Sequence, residues 1–197
     1  MKYLRYLLPL SIIALLVSCN NGSNPGEGEN TPEPTPSQNS AELLKNWNIT
    51  AGTHFDTETN IQKALAVFNE ECAGLVTSFE SENLNSGPND ADGSDQKPYR
   101  LTLGTGSASG SITFNFSKSI KKMTVTASGY TKYGFASSET SRLTSTLGME
   151  TDSKVVSPNE DSQFVIESTG SVIANFETSN AGATGYRAFI KSIVVEW

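Results

Sequence analysis

The feature that most constrains the fold of this chain is a period-two alternation of apolar and polar residues in its second half. Ile112, Phe114 and Phe116 alternate with polar residues, and Met123 and Val125 begin a second run of the same kind. Successive side chains of a β-strand point to opposite faces of the sheet, so this pattern predicts strands with one buried face. A turn over residues 117–121 is predicted between the two runs.

Further apolar runs, separated by Gly, Ser, Asn and Thr, predict additional strands. They are Trp47–Thr50, Leu75–Glu80, Tyr99–Leu103, Ser141–Leu147, Gln163–Glu167, Ser171–Phe176 and Tyr186–Val195. About eight or nine short strands in a body of this size favour an antiparallel sandwich over a barrel or an α/β sheet. The predicted fold class is therefore mainly β, an antiparallel jelly-roll β-sandwich with one amphipathic α-helix near its N-terminus.

That helix is predicted at about residues 59–73. Residues 59–62 resemble a capping box, and apolar residues then recur at helical spacing before Gly74. Cys72 falls on the apolar face of this helix, so we expect it to be a small core side chain and not a nucleophile.

The first eighteen residues read as a secretory signal peptide. Lys2 and Arg5 precede an apolar run from Leu7 to Val17. This run is shorter than the roughly 20 apolar residues that a permanent transmembrane helix needs. We therefore expect cleavage of residues 1–18.

Residues 16–19, Leu-Val-Ser-Cys, resemble the bacterial lipobox. The resemblance implies that Cys19 becomes an acylated N-terminal residue, and two or more acyl chains anchor a protein stably. With Cys19 acylated, no intramolecular disulfide to Cys72 is expected. The alternative is an ordinary signal peptide that leaves Cys19 as a free thiol.

A tether is predicted between the lipid and the folded body. Residues 20–40 contain four prolines, three glutamates and no apolar side chain, a composition that does not support packing. We therefore predict an acylated Cys19 with a disordered tether over residues 19–40, followed by a single β-sandwich domain over residues 41–197.

Charge and histidine content exclude several functional classes. The chain has a formal net charge of -7, which leaves no basic field for a phosphate backbone, so we expect no nucleic-acid partner. His54 is the single histidine and is predicted to be an ordinary loop residue. Because no base is placed beside a nucleophile, the protein is not expected to be an enzyme.

Several segments of the body resemble jelly-roll domains of bacterial surface proteins. They are Leu101–Ser107, Gly110–Phe116, Ile120–Ser128 and Phe189–Val195. These domains are of the galactose-binding or carbohydrate-binding-module type. The resemblance covers roughly the last 95 residues and implies the fold more firmly than an activity, because one such fold serves many functions. It transfers no ligand residue.

Aromatic residues follow the strand at 123–127. Tyr130 and Tyr133 offer faces on which sugars stack, and Lys132 lies between them to bind hydroxyls. These three residues are the candidate ligand contacts, with Arg187 and Arg100 as further residues that could line a groove. The alternative is that Tyr130 caps the end of the core.

An acidic loop offers a weaker candidate for a metal site. Asp90, Asp92 and Asp95 surround Gly93, and carboxylates on a turn suit Ca²⁺. The glycine position departs from that of an EF-hand loop, so a solvated acidic loop is the alternative. A structural calcium ion is accordingly the one cofactor considered.

These patterns together predict a lipoprotein anchored to a bacterial membrane and exposed at the cell surface or in the periplasm. Its sandwich is predicted to bind a glycan or a surface partner without catalysis. The alternative is a structural or assembly lipoprotein that binds a partner protein and no small ligand.

Overall fold

The chain forms ten strands and one helix within the residues that the structure, a computed structural model, describes: 39–87, 101–131, 138–180 and 182–197. The elements are β1 (Ser40–Glu42), α1 (Glu58–Phe68), β2 (Val76–Glu82), β3 (Leu84–Ser86), β4 (Leu101–Leu103), β5 (Ser111–Thr131), β6 (Ser138–Glu139), β7 (Ser141–Leu147), β8 (Glu150–Val156), β9 (Ser162–Ser179) and β10 (Ala188–Glu196).

All of these strands belong to antiparallel pairs of one continuous sheet. Its main order is β3-β4-β10-β5-β9-β7-β8, and β1 pairs with β10 while β2 and β6 pair with β5. The long strands β5 and β9 pair along most of their length, with register shifts between Asn115, Ile120 and Lys122. The shifts divide the sheet into two halves that share both strands.

The two halves enclose a common core. Phe114 and Phe176 come from one half, Val125 and Ile193 come from the other, and all four are fully buried in one cluster. Alternation places these residues on the inner face of each half. The predicted class, a mainly β antiparallel sandwich with one helix, is confirmed.

The predicted turn over residues 117–121 is wrong, because β5 runs through this segment. Ile120 is fully buried and pairs with Ser171 of β9. The Ser117 hydroxyl donates to the Gly74 carbonyl at 2.7 Å. The polar stretch is therefore a bend with a register shift inside one strand, and the bulge lets β5 pass from one half to the other.

The predicted leading strand at Trp47–Thr50 is also wrong. The edge beside β10 is taken by β1, in which Ala41 pairs with Val195. Trp47 lies in irregular structure, with its ring centroid 5.7 Å from that of Phe68. Burial of the indole, and not sheet pairing, fixes this segment.

The helix is present but shorter than predicted, and ends at Phe68 instead of near residue 73. Its N-cap is Thr57, whose hydroxyl accepts from Asn60 N at 3.4 Å. At the other end, the Asn69 side chain accepts from Val76 N and donates to the Val76 carbonyl, both at 2.8 Å. These bonds to β2 turn the chain out of the helix before Cys72.

The first described residues, Asn39 and Ser40, are already part of the fold, although they were predicted to belong to the tether. Ser40 pairs with Glu196, and Trp197 N donates to the Asn39 carbonyl at 3.1 Å. The first and last described segments are thus hydrogen-bonded neighbours. The predicted signal peptide, Cys19 and the tether up to residue 38 lie outside the described residues.

Candidate ligand-binding cleft

One of the candidate sugar contacts, Tyr130, lies at the end of β5 and is half-buried. Lys132 and Tyr133 lie outside the described residues, and so do Asp90, Asp92 and Asp95. Within the described ranges, no group of three His, Cys, Asp or Glu side chains is arranged to hold a metal ion. Tyr130 is therefore the one candidate sugar contact whose surroundings the structure describes.

Tyr130 lines an open cleft of about 490 Å³ at one end of the half-sheet β3-β4-β10-β5. The lining residues are Ala51, Gly52, Asn85, Ser86, Thr102, Gly104, Thr105, Gly106, Tyr130 and Arg187. Most of them are small or carry a hydroxyl or amide. Such a surface offers many hydrogen-bonding groups with little bulk.

Behind the cleft, a row of side chains crosses three strands in register. Phe189 of β10 pairs with Thr102 of β4 and with Ser128 of β5. Alternation puts these three on the face opposite Ala188 and Ile190, which belong to the main core. Phe189 is fully buried although it lies on this outer face.

The central feature of the cleft is a cluster of Tyr130, Arg187 and Glu139. Glu139 of β6 is the register partner of Tyr130. The guanidinium carbon of Arg187 lies 3.5 Å from the centroid of the Tyr130 ring. Arg187 Nε donates to Glu139 Oε2 at 3.1 Å, and Arg187 Nη2 donates to Oε1. One arginine thus joins an aromatic face and a carboxylate.

The carboxylate stabilises and neutralises the charge of Arg187. The hydrogen bond to Glu139 raises the pKa of Arg187 above its usual value, while burial acts in the opposite direction. The side chain of Arg187 is 22% exposed and that of Glu139 is 16% exposed. Arg187 and Glu139 therefore form a partly desolvated ion pair with no net charge.

The hypothesis that Tyr130 presents a free face to a sugar needs revision. One face is covered by the Arg187 guanidinium, and Phe189 packs against the ring with a centroid distance of 5.2 Å. The Tyr130 ring thus packs on the buried Phe189, which lies outside the main core cluster. The cluster therefore presents the edge of the Tyr130 ring and the planar Arg187 guanidinium to the cleft.

Two glycines make the cleft possible. A Cβ on Gly104, whose φ is +83°, would overlap the Tyr186 carbonyl, and one on Gly185 would overlap the Glu139 carboxylate. The chain turns sharply after Gly104, because Thr105 N donates to the Ala108 carbonyl at 2.8 Å. A side chain at either glycine would disturb the cleft wall or the ion pair.

Two hydroxyl groups flanking Phe189 lack a protein partner among the described residues. They are Thr102 Oγ1, in the cleft lining, and Ser128 Oγ. Thr102 is 4% exposed and Ser128 is fully buried. A buried hydroxyl without a partner costs free energy, so Thr102 is a group that a polar ligand or a water molecule would satisfy.

Hydrogen bonds of Ser86 connect the cleft to the aromatic core beneath α1. Ser86 accepts from Trp47 Nε1 at 3.0 Å and donates to the Ile49 carbonyl at 2.8 Å. The Trp47 ring packs edge-on against Phe55 at 5.9 Å. A change at Ser86 is therefore transmitted to the indole.

A second depression of about 470 Å³ lies between α1 and residues 48–53. Its lining includes the exposed Lys63 of α1, the exposed Glu70 just after α1, and the apolar Ile49 and Val67. None of its described lining residues is aromatic. We therefore take the Tyr130 cleft as the candidate site.

Sequence reasoning located part of this cleft and missed part. It named Tyr130 and Arg187. Glu139 was missed, because it lies 48 positions from Arg187 and no local pattern marks it. Asn85 and Thr102 were also missed, since isolated polar residues in strands carry no signal.

Two other sequence predictions have structural outcomes. His54 is exposed and forms an isolated β-bridge with Asn85, as a loop residue would. Cys72 is 4% exposed, so the buried position is confirmed. It is part of a disulfide in this structure, whereas none is expected once Cys19 is acylated. Among the described helices, none is long and apolar enough to span a membrane.

Comparison with known proteins gives distant likenesses only. No protein-family model matches the chain, and no curated protein matches it significantly. The CBM36-1 domain of a multidomain xylanase from the hindgut metagenome of Trinervitermes trinervoides is 14% identical, with a TM-score of 0.30 over 49% of this chain and 76% of that one. TmCBM61, solved in complex with beta-1,4-galactotriose, is 9% identical, with a TM-score of 0.37 over 63% and 92%. At these scores the likeness carries no weight for what the cleft binds.

Proposed function

We propose that this protein is a bacterial lipoprotein whose sandwich binds a glycan, without catalysis, in the Tyr130 cleft. The observation that carries the proposal is the composition of the cleft. An open space of about 490 Å³ is lined by hydroxyl and amide side chains, with an aromatic ring and a planar guanidinium at one side. Sugars present hydroxyl groups of both donor and acceptor character, which such a lining can pair.

Arg187 supplies the strongest donors. A guanidinium has five N–H groups, and Glu139 occupies one on Nε and one on Nη2. The remaining groups are held in a fixed plane by the stacking on Tyr130. A donor set that is already ordered loses little entropy when a sugar hydroxyl binds.

Acceptors and further donors come from the opposite wall. The amide of Asn85 offers both functions, and the Thr102 hydroxyl has no other partner within the described residues. The gain on binding is largest for such a group, because a bound hydroxyl replaces an unmet hydrogen bond. Glycan specificity would then arise from the spacing between Arg187 and these two residues.

The carboxylate of Glu139 is already occupied as the partner of Arg187. Glu139 accepts two hydrogen bonds from Arg187, so it acts as an ion-pair partner. Glycoside hydrolysis uses two carboxyl groups that flank the bond to be cleaved. We therefore propose equilibrium binding on a rigid platform as the mechanism.

The lipoprotein part of the proposal rests on the sequence of the first forty residues. The lipobox at residues 16–19 supports acylation of Cys19, and the polar tether supports display of the body away from the membrane. A thioether on Cys19 and an intrachain disulfide at Cys72 exclude each other, because the chain has two cysteines. The proposal concerns the exported, acylated form at the surface or in the periplasm.

The test is a glycan array probed with the full exported protein in detergent, with calcium and with a chelator. The same experiment is run on Arg187→Met and on Lys118→Met, which removes an exposed cation from the bend of β5. We expect binding to one sugar class that Arg187→Met abolishes and Lys118→Met retains. Dependence on calcium would support a metal site at Asp90, Asp92 and Asp95. A blank array under both conditions would exclude the glycan proposal.

A second function has one observation in its favour. Met149, Val172 and Ile173 are 96%, 50% and 47% exposed, and Gly148 N donates to the Ile173 carbonyl at 3.1 Å. These apolar side chains therefore lie close together at one end of the β7–β8 hairpin. Exposed apolar groups favour protein contacts, which suits an assembly lipoprotein. Cross-linking of the protein in intact cells, with Ile173→Asp as the variant, tests this alternative.

A further inference from the structure

The cleft contains one ionised side chain among its described lining residues, and that charge is already neutralised. Arg187 is the cation, and the other lining residues are neutral. Its partner Glu139 lies behind it and is 16% exposed. Among these described residues, a ligand that enters the cleft therefore meets donors and acceptors but no net positive charge.

The geometry keeps the neutralising carboxylate in place. Two hydrogen bonds join Glu139 to Arg187, and the register pairing with Tyr130 fixes the position of its backbone. Gly185 has no Cβ, and a Cβ there would overlap the carboxylate. From this position the carboxylate accepts from both Nε and Nη2 of the guanidinium.

Neutral and acidic sugars would bind to this cleft with different affinities. A hydroxyl group needs only the remaining guanidinium N–H groups and the neutral polar wall. The carboxylate of a uronic acid would have to lose water beside the negative charge of Glu139, or displace Glu139 from Arg187. The chain as a whole also carries a net charge of -7, which adds a weak repulsion of anions.

From these observations, and given the proposed glycan-binding function, we infer that the cleft selects neutral sugars over acidic ones and that Glu139 is the positioning residue that sets this preference. It acts through Arg187, by holding the guanidinium flat on Tyr130 and by cancelling its charge. Removal of the Glu139 charge without a change of shape leaves an unpaired cation in the cleft. The preference for neutral ligands should then weaken or reverse.

The test uses pairs of oligosaccharides that differ only at C6, a hydroxymethyl group in one and a carboxylate in the other. Dissociation constants are measured with the full exported protein and with Glu139→Gln. For the unmodified protein we expect the neutral member of a bound pair to bind tighter by on the order of tenfold or more, as like-charge juxtaposition requires. For Glu139→Gln we expect tighter binding of the acidic member, with an affinity that falls as salt is raised.

The double variant Glu139→Gln with Arg187→Met serves as the control. It has no charge in the cluster and lacks the Arg187 donors, so it should bind neither member of a pair while it remains folded. Thermal unfolding of each variant is recorded in parallel. If Glu139→Gln does not fold, the comparison of neutral and acidic members on the unmodified protein still decides whether the cleft is selective.

The outcomes separate the two levels of the argument. Binding of the unmodified protein to acidic sugars in preference to neutral ones would overturn the selectivity and leave glycan binding intact. An unchanged preference in folded Glu139→Gln would overturn the role of Glu139. No binding to either member of any pair would remove the glycan proposal itself, and the inference with it.

Discussion

Arg187 and Tyr130 form a stacked pair, with the guanidinium carbon 3.5 Å from the ring centroid. A cation over an aromatic face is worth about 0.5 to 2 kcal/mol, depending on how far it is desolvated. The pair sits between the cleft and the buried Phe189, whose ring centroid is 5.2 Å from that of Tyr130. The same stacking that stabilises this end of the sheet therefore shapes the surface offered to a ligand.

Replacement of Arg187 by Met should reduce both binding and stability. Glu139 would be left partly buried without its partner, and loss of one member of such a pair costs about 1 to 3 kcal/mol at this exposure. Urea unfolding measures this loss, and isothermal titration with the array hit measures the binding. Lys118→Met, in the exposed bend of β5, should leave both quantities unchanged. Full retention of glycan affinity by Arg187→Met would contradict the placement of the site.

Two glycines with positive φ provide a matched pair for the cleft wall. Gly104→Ala and Gly74→Ala both force alanine into the left-handed region, at φ +83° and +70°, which costs about 1 to 2 kcal/mol. Only at Gly104 does the new Cβ also overlap a carbonyl, that of Tyr186.

We therefore expect Gly104→Ala to lower the free energy of unfolding by clearly more than Gly74→Ala, and to weaken ligand binding as well. Denaturant midpoints of the two variants make the comparison. Equal losses in the two proteins would show that the contact with Tyr186 relaxes at no cost, and that the wall at Gly104 is not rigid.

Phe68 is the point at which the helix joins the sheet. It is 1% exposed, and its ring lies 5.0 Å from that of Phe114 and 5.7 Å from that of Trp47. Phe68→Ala should cost about 3 to 5 kcal/mol, since it leaves a cavity in a packed cluster. Met149→Ala, at a side chain that is 96% exposed, should change stability by less than about 0.5 kcal/mol.

Trp47 gives this experiment a second readout. Its indole donates to Ser86, which lines the cleft, so loosening of the cluster by Phe68→Ala should shift the tryptophan emission towards longer wavelength. An unshifted emission in a destabilised variant would mean that Trp47 is held by Phe55 and Ser86 alone.

The alternation of apolar and polar residues predicted those strands whose formation depends on a local pattern alone. Ser141–Leu147 was predicted to be a strand and is β7 with the same bounds, because its small and apolar residues alternate with polar ones on a half-buried surface. The continuity of β5 through residues 117–121 was not predictable in this way. It depends on the buried Ile120 and on pairing with β9, which is more than forty positions away.

The candidate site shows the same division. Tyr130 stood out as an aromatic residue at the end of an alternating run, and Arg187 as a cation beside another aromatic residue. Their juxtaposition with Glu139 needs β6 to pair with β5 and the residue before β10 to reach across both. Contacts of that sequence separation are set by topology, and a single sequence does not encode them in a local motif.

Acid should weaken the contact between Glu71 and the first strand. Burial alone would raise the pKa of Glu71, but hydrogen bonds from Lys45 Nζ at 2.5 Å and Glu42 N at 2.7 Å lower it below 4.5 overall. A carboxyl whose pKa is depressed on folding stabilises the protein above its unfolded pKa, and this contribution is lost as the pH falls through the folded value.

Glu71→Gln should therefore be less stable than the unmodified protein at neutral pH, by under about 1 kcal/mol because Lys45 is largely exposed. The difference should shrink as the pH falls below about 4.5. This stability difference is measured by urea unfolding of both proteins from pH 3 to pH 7, in steps of about half a pH unit. A difference that grows on acidification would have the wrong sign and would contradict the role given to Glu71.

Acylation of Cys19 is the prediction on which the proposed location depends. We expect the exported protein to lack residues 1–18, to begin at Cys19 and to carry acyl chains that move it into the detergent phase of a phase-separated extract. A Cys19→Ser variant that lacks residues 1–18 should remain in the aqueous phase, because it has neither the acyl chains nor the apolar run Leu7–Val17. Intact mass spectrometry distinguishes the two chemical states of the cysteine pair. A mass that includes the lipid would support the anchor. A lipid-free mass with an intrachain disulfide at Cys72 would contradict it, and would mean that Cys19 instead ties the N-terminal segment to the sandwich.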